Sequence, residues 1–502
     1  MSLKKNVIAN FMGQGWTALM GIAFIPLYIQ YLGIESYGLI GVFAVMQAWF
    51  TLLDFGMTPT LNREMARFTA GGHTPQSIKD LLRSLEIIAW VIGVCIIAGV
   101  WAASFWLASD WLKAEKLPVT AVAQAISIMG LVVALRFVEG LYRGAVIGLQ
   151  KQIWLNYILS LSATARWAGA ALVVVFIRPD IEAFFLWQGA VSIITIIIFA
   201  TRVHGWLPKT ESQPRFSISS VSEIWRFASG MLLTTLLALI LTQVDKVLLS
   251  KLISLKEFGY YTLASTMVGV LYQAIIPFTQ AYYPRFTEMV TRKDNIGLIN
   301  NYHQAAQLVT VFIVSVSLSL MVFSQNILIA WTGDLALSAY TAPILSVLTF
   351  GTMLNGLMHI PYMLQLAHGW SSFAVRVNVI AILFLVPAIL WATPQYGPIG
   401  AAWCWAILNI GYATIGMYFM YRRLLTAEKW RWYSKDIFIP SIAIVSISFI
   451  SYLIHPNSMS RVIEIMWISM TVMGSIAAGL ITSKDISVKA IFNQLIKKIQ
   501  II

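Results

Sequence analysis

The sequence has very little charge for its length. Of its 502 residues only 11% are charged, whereas 59% are hydrophobic and the mean hydropathy is +0.76. A soluble domain of this size needs far more charge to cover its surface, so soluble globular classes are excluded. Long apolar runs recur from end to end, which predicts an all-α polytopic membrane protein.

Cysteine and histidine are also scarce. Both cysteines, Cys95 and Cys404, lie in apolar runs, so no disulfide framework is expected. The six histidines show no metal-ligand spacing and no GxxxxGK[ST] loop occurs, so we expect no metal, no cofactor and no nucleotide hydrolysis. A membrane-embedded glycosyltransferase would need a sizeable extramembrane loop with carboxylates, which the sequence lacks. These absences indicate that the protein is not an enzyme.

The positive charge is unevenly distributed. A net charge of +13 could suggest a nucleic-acid partner, but the basic residues cluster in short loops between apolar runs. With the N-terminus placed in the cytoplasm, 25 lysines and arginines fall on the cytoplasmic side and six on the other. We therefore expect both termini in the cytoplasm, an even number of spans and no nucleic acid. The N-terminal segment lacks a small-residue cleavage site, so we expect it to be uncleaved.

The apolar runs predict about fourteen transmembrane helices, since about 20 apolar residues cross a bilayer. The predicted spans lie at residues 10–32, 37–62, 84–109, 119–148, 153–177, 181–204, 226–252, 258–284, 304–331, 340–367, 373–395, 397–423, 436–454 and 461–482. Spans 13 and 14, with a basic cytoplasmic tail, make up residues 426–502 and are expected to be an appended part.

Two stretches suggest an internal repeat. YLGIESYGLIG (31–41) and LISLKEFGYYT (252–262) align at an offset of 221 residues, which sets Gly38 against Gly259. Six spans precede the seventh, so both copies enter the membrane from the same side. This predicts two six-helix bundles related by a parallel repeat, residues 1–204 and 226–425, joined by a cytoplasmic linker at 205–225. The alternative is that all junctions between loop and span look alike.

Ionisable residues inside spans are costly and usually face a partner or a water-filled cavity. Arg136, Glu139 and Arg143 share one face of the fourth span, and Arg166 lies at the same depth in the fifth. Two arginines at one depth, roughly 18–20 Å from the cytoplasmic end, repel each other unless an anion visits. The alternative is that Glu139 neutralises one arginine and water solvates the other.

Two further acidic positions are candidates for ion coupling. Asp245 and Lys246 are adjacent in the seventh span, and a carboxylate with a movable basic neighbour suits a proton or Na⁺ site. A local ion pair that orients the helix is the alternative. Asp54, in LLDFGMTP near the end of the second span, is either an ion site or a helix cap.

Several segments carry a family resemblance. YLGIESYGLIGVF, LLDFGMTPTLNREMAR, YRGAVIGLQKQIWLN, LTQVDKVLLSKLISLKEFGYYTLA, YYPRFTEM and YGPIGAAWC resemble signature segments of Wzx-type O-antigen and polysaccharide-unit flippases. These proteins belong to the multidrug/oligosaccharidyl-lipid/polysaccharide exporter superfamily. The resemblance runs from about residue 5 to residue 425 and weakens in spans 13 and 14.

The resemblance implies a flippase that moves an undecaprenyl-pyrophosphate-linked glycan across the bacterial inner membrane by alternating access, coupled to H⁺ or Na⁺. Arg136, Arg143, Arg166 and Lys246 would line the substrate cavity, and Asp245, Glu139 and Asp54 would be the coupling candidates. Membrane lipid, a polysaccharide polymerase and chain-length machinery would be its partners.

Arg63, Arg67 and Arg285 could gather the pyrophosphate at the cytoplasmic mouth, although ordinary positive-inside residues explain them too. Three alternative functions remain. They are a drug/cation antiporter and a lipid II flippase of the same superfamily, and a non-transporting membrane scaffold. The intramembrane arginines argue against the first and the last.

Overall fold

The computed structural model describes residues 3–210, 212–456 and 460–483. Of the residues that the structure describes, 88% are helical, and they contain no strand beyond one isolated bridge between Lys113 and Ser254. The helices are α1 (Leu3–Ala23), α2 (Ile25–Phe50), α3 (Met57–Thr69), α4 (Pro75–Trp106), α5 (Val119–Gly148), α6 (Gln152–Phe176), α7 (Ile181–Trp206), α8 (Ile218–Leu252), α9 (Leu255–Arg292), α10 (Asn295–Val322), α11 (Ser324–Thr332), α12 (Leu335–Leu357), α13 (His359–Ala367), α14 (Ser371–Tyr396), α15 (Pro398–Gly411), α16 (Met417–Tyr421), α17 (Lys429–Arg431), α18 (Ile439–Leu453) and α19 (Arg461–Thr482).

Twelve helical stretches of the described residues are long and apolar enough to cross a membrane, so the chain is an all-α polytopic membrane protein. The first and seventh predicted spans correspond in position to α1 and α8, which are not among these twelve. The exact count of fourteen therefore stays a prediction. The basic tail predicted at the C-terminus lies beyond Ser483, outside the described residues.

Gly33 divides α2 into two helical segments. Its φ of 82° and ψ of 162° lie outside helical space, in a region that glycine adopts without steric cost. The segment after Gly33 is anchored by Glu35, which is 6% exposed. Its carboxylate accepts backbone N–H groups from the loop between α4 and α5, at 2.7 Å from Glu115 and 3.0 Å from Lys116. The Gly-Ile-Glu part of YLGIESYGLIGVF is thus a break in the helix, and the Glu35 carboxylate fixes it to the loop between α4 and α5.

The two stretches that align in the sequence touch each other reciprocally. A Cβ atom on Gly38 would meet the backbone oxygen of Leu255, and a Cβ on Gly259 would meet the backbone oxygen of Ile34. At the offset of 221 residues, Ile34 aligns with Leu255 and Gly38 with Gly259. Exchanging the two copies therefore converts one contact into the other, as in a two-fold related pair. The repeat organisation of the helices stays a prediction.

The second span ends earlier than expected. The prediction placed it at residues 37–62, but the helix gives way to a 3₁₀ turn that ends at Asp54. Phe55 and Gly56 then adopt left-handed backbone with φ of 43° and 76°, which reverses the chain before α3 begins. The apolar residues that prolonged the sequence pattern are the buried face of α3, with Leu61 and Met65 fully buried.

Gly140, Gly144 and Gly148 lie four residues apart on α5 and form a glycine stripe, which explains where α3 packs. A Cβ on Gly144 would lie 2.7 Å from the backbone oxygen of Thr58, and a Cβ on Gly148 would lie 2.6 Å from the Cβ of Met65. A Cβ on Gly140 would meet nothing within 4 Å. Small residues let helix backbones approach closely. Here two of the three glycines serve that purpose, and the helix that they admit is α3.

The contacts divide the chain into two compact units, Met1–Gly259 and Tyr260–Ile502. We call them the N-terminal unit and the C-terminal unit. This division falls one helix later than the predicted linker at 205–225. The reason lies at the end of α8, where Trp111 donates to Ser250 at 3.0 Å and the Lys113 backbone oxygen accepts from Leu255 at 2.8 Å. The predicted bundle boundaries themselves stay a prediction.

The predicted appended pair is packed into the C-terminal unit. Helices α18 and α19 pack on each other and both pack on α10. Hydroxyl pairs join the two helices, Ser448 with Ser475 at 3.2 Å and Ser451 with Thr471 at 2.5 Å. Such polar pairs are a common means of helix association in an apolar environment. The last two described spans are therefore part of the packed unit.

Candidate functional site

Arg136 lies at the junction of three helices of the N-terminal unit. From α5 its guanidinium donates to the Gln47 side-chain oxygen on α2 at 2.6 Å and to the Gln188 side-chain oxygen on α7 at 2.7 Å. It also lies over the ring of Phe43, with 5.0 Å between the guanidinium carbon and the ring centroid. These partners are neutral. They orient the guanidinium and leave its charge uncancelled.

Arg166 is arranged differently. From α6 it forms an ion pair with Glu139 on α5, and the two side chains are only 13% and 3% exposed. The Arg166 backbone oxygen also accepts from the Gln188 side-chain amide at 3.2 Å, so Gln188 contacts both arginines. The residues predicted from depth and helical face do come together. We call Gln47, Arg136, Glu139, Arg166 and Gln188 the cationic cluster.

The cationic cluster carries one excess positive charge, because it contains two arginines and one glutamate. Among the described residues, no carboxylate oxygen lies within ion-pair distance of Arg136, and the Nε atoms of both arginines are buried without a hydrogen-bond partner. A guanidinium removed from water without a counter-charge is energetically costly. The cluster is therefore suited to an anion that supplies the missing charge.

The other predicted cavity residues lie apart from this cluster. Arg143 shares the α5 face but is exposed. Lys246, on α8, donates to the backbone oxygen of Thr242 at 3.1 Å and lies 3.7 Å from the carboxylate of Asp245. A cavity of about 320 Å³ between α2, α4, α5 and α8 is lined mostly by apolar side chains, among them Val247 from the same helix. The structure thus contains the adjacent ion pair that the sequence raised as an alternative to a coupling site.

Asp54 has a structural role at the start of α3. Its carboxylate accepts the Thr58 backbone N–H at 3.1 Å and the Thr58 hydroxyl at 2.7 Å. This is the contact that a capping carboxylate makes in the first turn of a helix. Of the two interpretations of Asp54, the geometry therefore matches the cap, and its coupling role stays a prediction.

The predicted mouth residues belong to both units. Arg63 and Arg67, on α3, form ion pairs with Glu64 at 2.7 and 3.0 Å, and His73 lies 2.6 Å from the same carboxylate. Arg285 is exposed on α9. Burial by itself would raise the pKa of Glu64, but hydrogen bonds from His73 and Arg63 and the charge of Arg67 outweigh it and lower that pKa. Glu64 therefore stays ionised and forms ion pairs with two arginines of its own helix.

A second buried polar group lies in the C-terminal unit and was missed in the sequence. His303, on α10, is fully buried between Asp436, which contacts its Nδ1, and Glu428, whose carboxylate lies 2.9 Å from its Nε2. Gln307, one turn along α10, donates to the other oxygen of Asp436 at 3.0 Å. We call these four residues the acidic cluster.

The sequence pattern did not predict the acidic cluster because its members are far apart in the sequence. His303 and Asp436 are separated by 133 residues. One signal was visible, since Asp436 begins the predicted thirteenth span and an acid at that position needs a partner. Four of the six histidines contact a carboxylate: His73, His204, His303 and His455. The described residues contain no group of three or more side chains arranged to hold a metal ion.

Comparison with known proteins gives a family and a fold. The profile of a family described as polysaccharide biosynthesis protein matches residues 3–290, more than half of the chain. A Shigella flexneri protein that carries the provisional name O-antigen transporter is 20% identical over 410 residues, which cover 81% of this chain and 95% of that protein.

Two solved structures share the fold. The lipid II flippase MurJ in an inward closed conformation matches with a TM-score of 0.71 and 15% identity, over 98% of this chain and 99% of that one. A multidrug resistance MATE family transporter of the MOP superfamily, in an inward-facing conformation, matches with a TM-score of 0.63 and 14% identity, over 82% of this chain and 96% of that one.

Proposed function

Because the chain belongs to the polysaccharide biosynthesis protein family, we propose that it is a flippase for an undecaprenyl-pyrophosphate-linked oligosaccharide. The unit would be an O-antigen or other surface-polysaccharide repeat. The flippase would carry it from the cytoplasmic to the periplasmic leaflet of the bacterial inner membrane by alternating access. The Shigella flexneri relative and the flippase fold support this proposal. Polysaccharide polymerase and chain-length machinery would act on the product.

The excess charge of the cationic cluster is the observation that carries the proposal. A pyrophosphate is an anion that several N–H groups can bind at once, and a guanidinium is well suited to it. Arg136 already has its orientation fixed by Gln47 and Gln188, so little reorganisation accompanies binding. The lipid tail would stay in the bilayer while the glycan crosses in water.

The same charge argues against a drug/cation antiporter. A site for cationic drugs needs excess negative charge, whereas the N-terminal cluster has excess positive charge. For ion coupling we retain Asp245, whose contact with Lys246 is a loose one at 3.7 Å. Glu139 already forms an ion pair with Arg166, and Asp54 caps α3. Coupling to H⁺ or Na⁺ through Asp245 is therefore part of the proposal.

A lipid II flippase is the second candidate function. The fold match to MurJ extends over 98% of this chain, including the final helices. The two candidates predict different phenotypes. Loss of a lipid II flippase stops wall growth, whereas loss of a surface-glycan flippase removes surface glycan and leaves growth intact.

The test is complementation of surface glycan in a bacterial cell that lacks this chain. The cell receives wild type, Arg136→Ala, Arg166→Ala or Asp245→Asn, and each variant is quantified in the membrane fraction. We expect wild type to restore the glycan and Arg136→Ala to fail at normal abundance, with lipid-linked glycan accumulating. Arg166→Ala should also fail, with reduced abundance because Glu139 is left buried without its partner. Full complementation by both arginine variants would refute the role of the cationic cluster, and a growth defect without glycan loss would favour lipid II.

A further inference from the structure

His303 contacts two carboxylates of the acidic cluster at once. Both ring nitrogens face a carboxylate oxygen, from Asp436 on one side and Glu428 on the other. Each nitrogen–oxygen pair needs one hydrogen between its atoms to form a hydrogen bond. A neutral imidazole has a single N–H, so with both carboxylates ionised it could satisfy only one pair. An arrangement in which both pairs are hydrogen-bonded therefore needs one additional proton.

We propose that His303, Asp436 and Glu428 form a proton-binding site that controls the docking of Glu428 and α17 onto α10. With the proton bound, the ring donates to both carboxylates and links α10 to the segment 428–438. The ligand is a proton, and nothing in the proposed flippase function assigns one to these residues. Imidazole is also the side chain that ordinarily changes charge near neutral pH.

Other polar groups around the ring do not remove the need for that proton. Gln307 and Arg431 supply donors, Gln307 to Asp436 at 3.0 Å and Arg431 at 3.6 Å from Glu428. The elements around His303 also bring three phenols close: Tyr302 on α10, Tyr421 on α16 and Tyr433 in the segment after α17. The Tyr302 and Tyr421 hydroxyls bond each other at 2.6 Å. With His303 protonated, these side chains balance to zero net charge, since Arg431 and the imidazolium offset two carboxylates.

Loss of the proton breaks one specific contact. Asp436 is fully buried and keeps Gln307 as a donor, whereas Glu428 is 19% exposed and can turn toward water. A neutral ring would keep its N–H toward Asp436 and present a lone pair to Glu428, which would repel that carboxylate. Glu428 would then turn away from the ring, and the released proton would pass to water. Glu428 and α17, which follows it, would lose their tie to α10, whereas Asp436 would keep its contacts with His303 and Gln307.

The experiment is hydrogen exchange on the purified full-length protein in lipid nanodiscs between pH 6 and pH 9, corrected for intrinsic exchange. Exchange in residues 428–432, which include the Trp432 N–H that donates to the Glu428 backbone oxygen, is compared with that in α15. The closed form binds one proton more than the open form, so its protection should fall as pH rises, by up to about tenfold per pH unit. His303→Gln should abolish this dependence. His368→Gln is the matched control, because His368 contacts the backbone oxygen of Leu364 in the same unit.

A second variant keeps the test decisive if His303→Gln does not fold. Glu428→Gln alters the partly exposed end of the cluster and should shift the loss of protection to lower pH, because one of the two carboxylates that hold the proton is gone. Wild-type protection that does not depend on pH, or an unchanged pH profile in Glu428→Gln, would overturn the proposal. The experiment uses no transported lipid, so its failure would leave the flippase proposal intact, and loss of glycan in Arg136→Ala would not bear on the proton site.

Discussion

The two buried polar clusters of this protein have opposite charge balances. In the N-terminal unit, two arginines share one glutamate, and Arg136 is held by neutral amides. In the C-terminal unit, two carboxylates share one histidine. Both groups join helices that are distant in the sequence, and both are largely shielded from water.

The difference suggests what each cluster binds. A buried cluster with too few negative charges gains by admitting an anion, and one with too few positive charges gains by keeping a proton. A purely structural ion pair would be balanced, as Arg166 with Glu139 is on its own. Arg136 is the surplus group in one unit. In the other unit, the two carboxylates exceed the charge of Arg431 by one until His303 is protonated, and function is expected to depend on both imbalances.

Breaking the balanced pair should have the largest effect on stability. Arg166→Met leaves Glu139 buried without its partner, and removing one member of a buried pair typically costs about 3–5 kcal/mol. Thermal unfolding of the purified protein should show a large drop in Tm. The double variant Arg166→Met with Glu139→Met removes both charges and should recover most of that loss. An unchanged Tm in Arg166→Met would mean that the pair does not support the fold.

The packing of α3 should have a smaller effect on stability. This helix carries Arg63 and Arg67, two of the predicted mouth residues. Gly148→Ala places a methyl group against Met65 and the backbone of Asn62, and overpacking of this kind costs about 1–3 kcal/mol. Gly140→Ala is the control on the same helix, since a Cβ there meets nothing within 4 Å. Thermal unfolding should distinguish them. Equal Tm values would show that α3 does not pack as described.

Asp54→Asn should have the smallest effect. Asparagine caps helices about as well as aspartate, so the contact with Thr58 survives while the charge is lost. If Asp54 is a cap, surface glycan and Tm should stay close to wild type. Loss of glycan at normal abundance would instead restore Asp54 as a coupling residue, and the negative charge important to transport would then lie in the N-terminal unit.

Sequence reasoning reached the cationic cluster because its signal is local. Arg136 and Glu139 lie one turn apart on one helix, and the depth of Arg166 follows from counting residues along the next. The amide partners did not follow from this count. Gln47 is 89 residues from Arg136, and only the packing of α2 against α5 brings them together.

The remaining features depended on information that hydropathy does not carry. Because α3 is amphipathic, its apolar face made the predicted second span too long. In the structure, left-handed backbone at Phe55 and Gly56 forms a turn before α3. The acidic cluster needed two residues 133 positions apart to meet, and no periodic pattern reports such a pair. The spacing of the glycine stripe on α5 could be seen in the sequence. The helix that packs on it could not, since spacing alone does not identify that helix.

The most direct test of the account is whether the surplus charge of the cationic cluster binds an anion. Binding of undecaprenyl pyrophosphate to the purified protein in nanodiscs is measured for three forms. Wild type and the double variant Arg166→Met with Glu139→Met both keep one excess positive charge, whereas Arg136→Met has none. We predict similar affinity for the first two and at least about tenfold weaker binding for Arg136→Met, since a charged hydrogen bond contributes about 1.5–3 kcal/mol. Wild-type affinity in Arg136→Met would contradict the account.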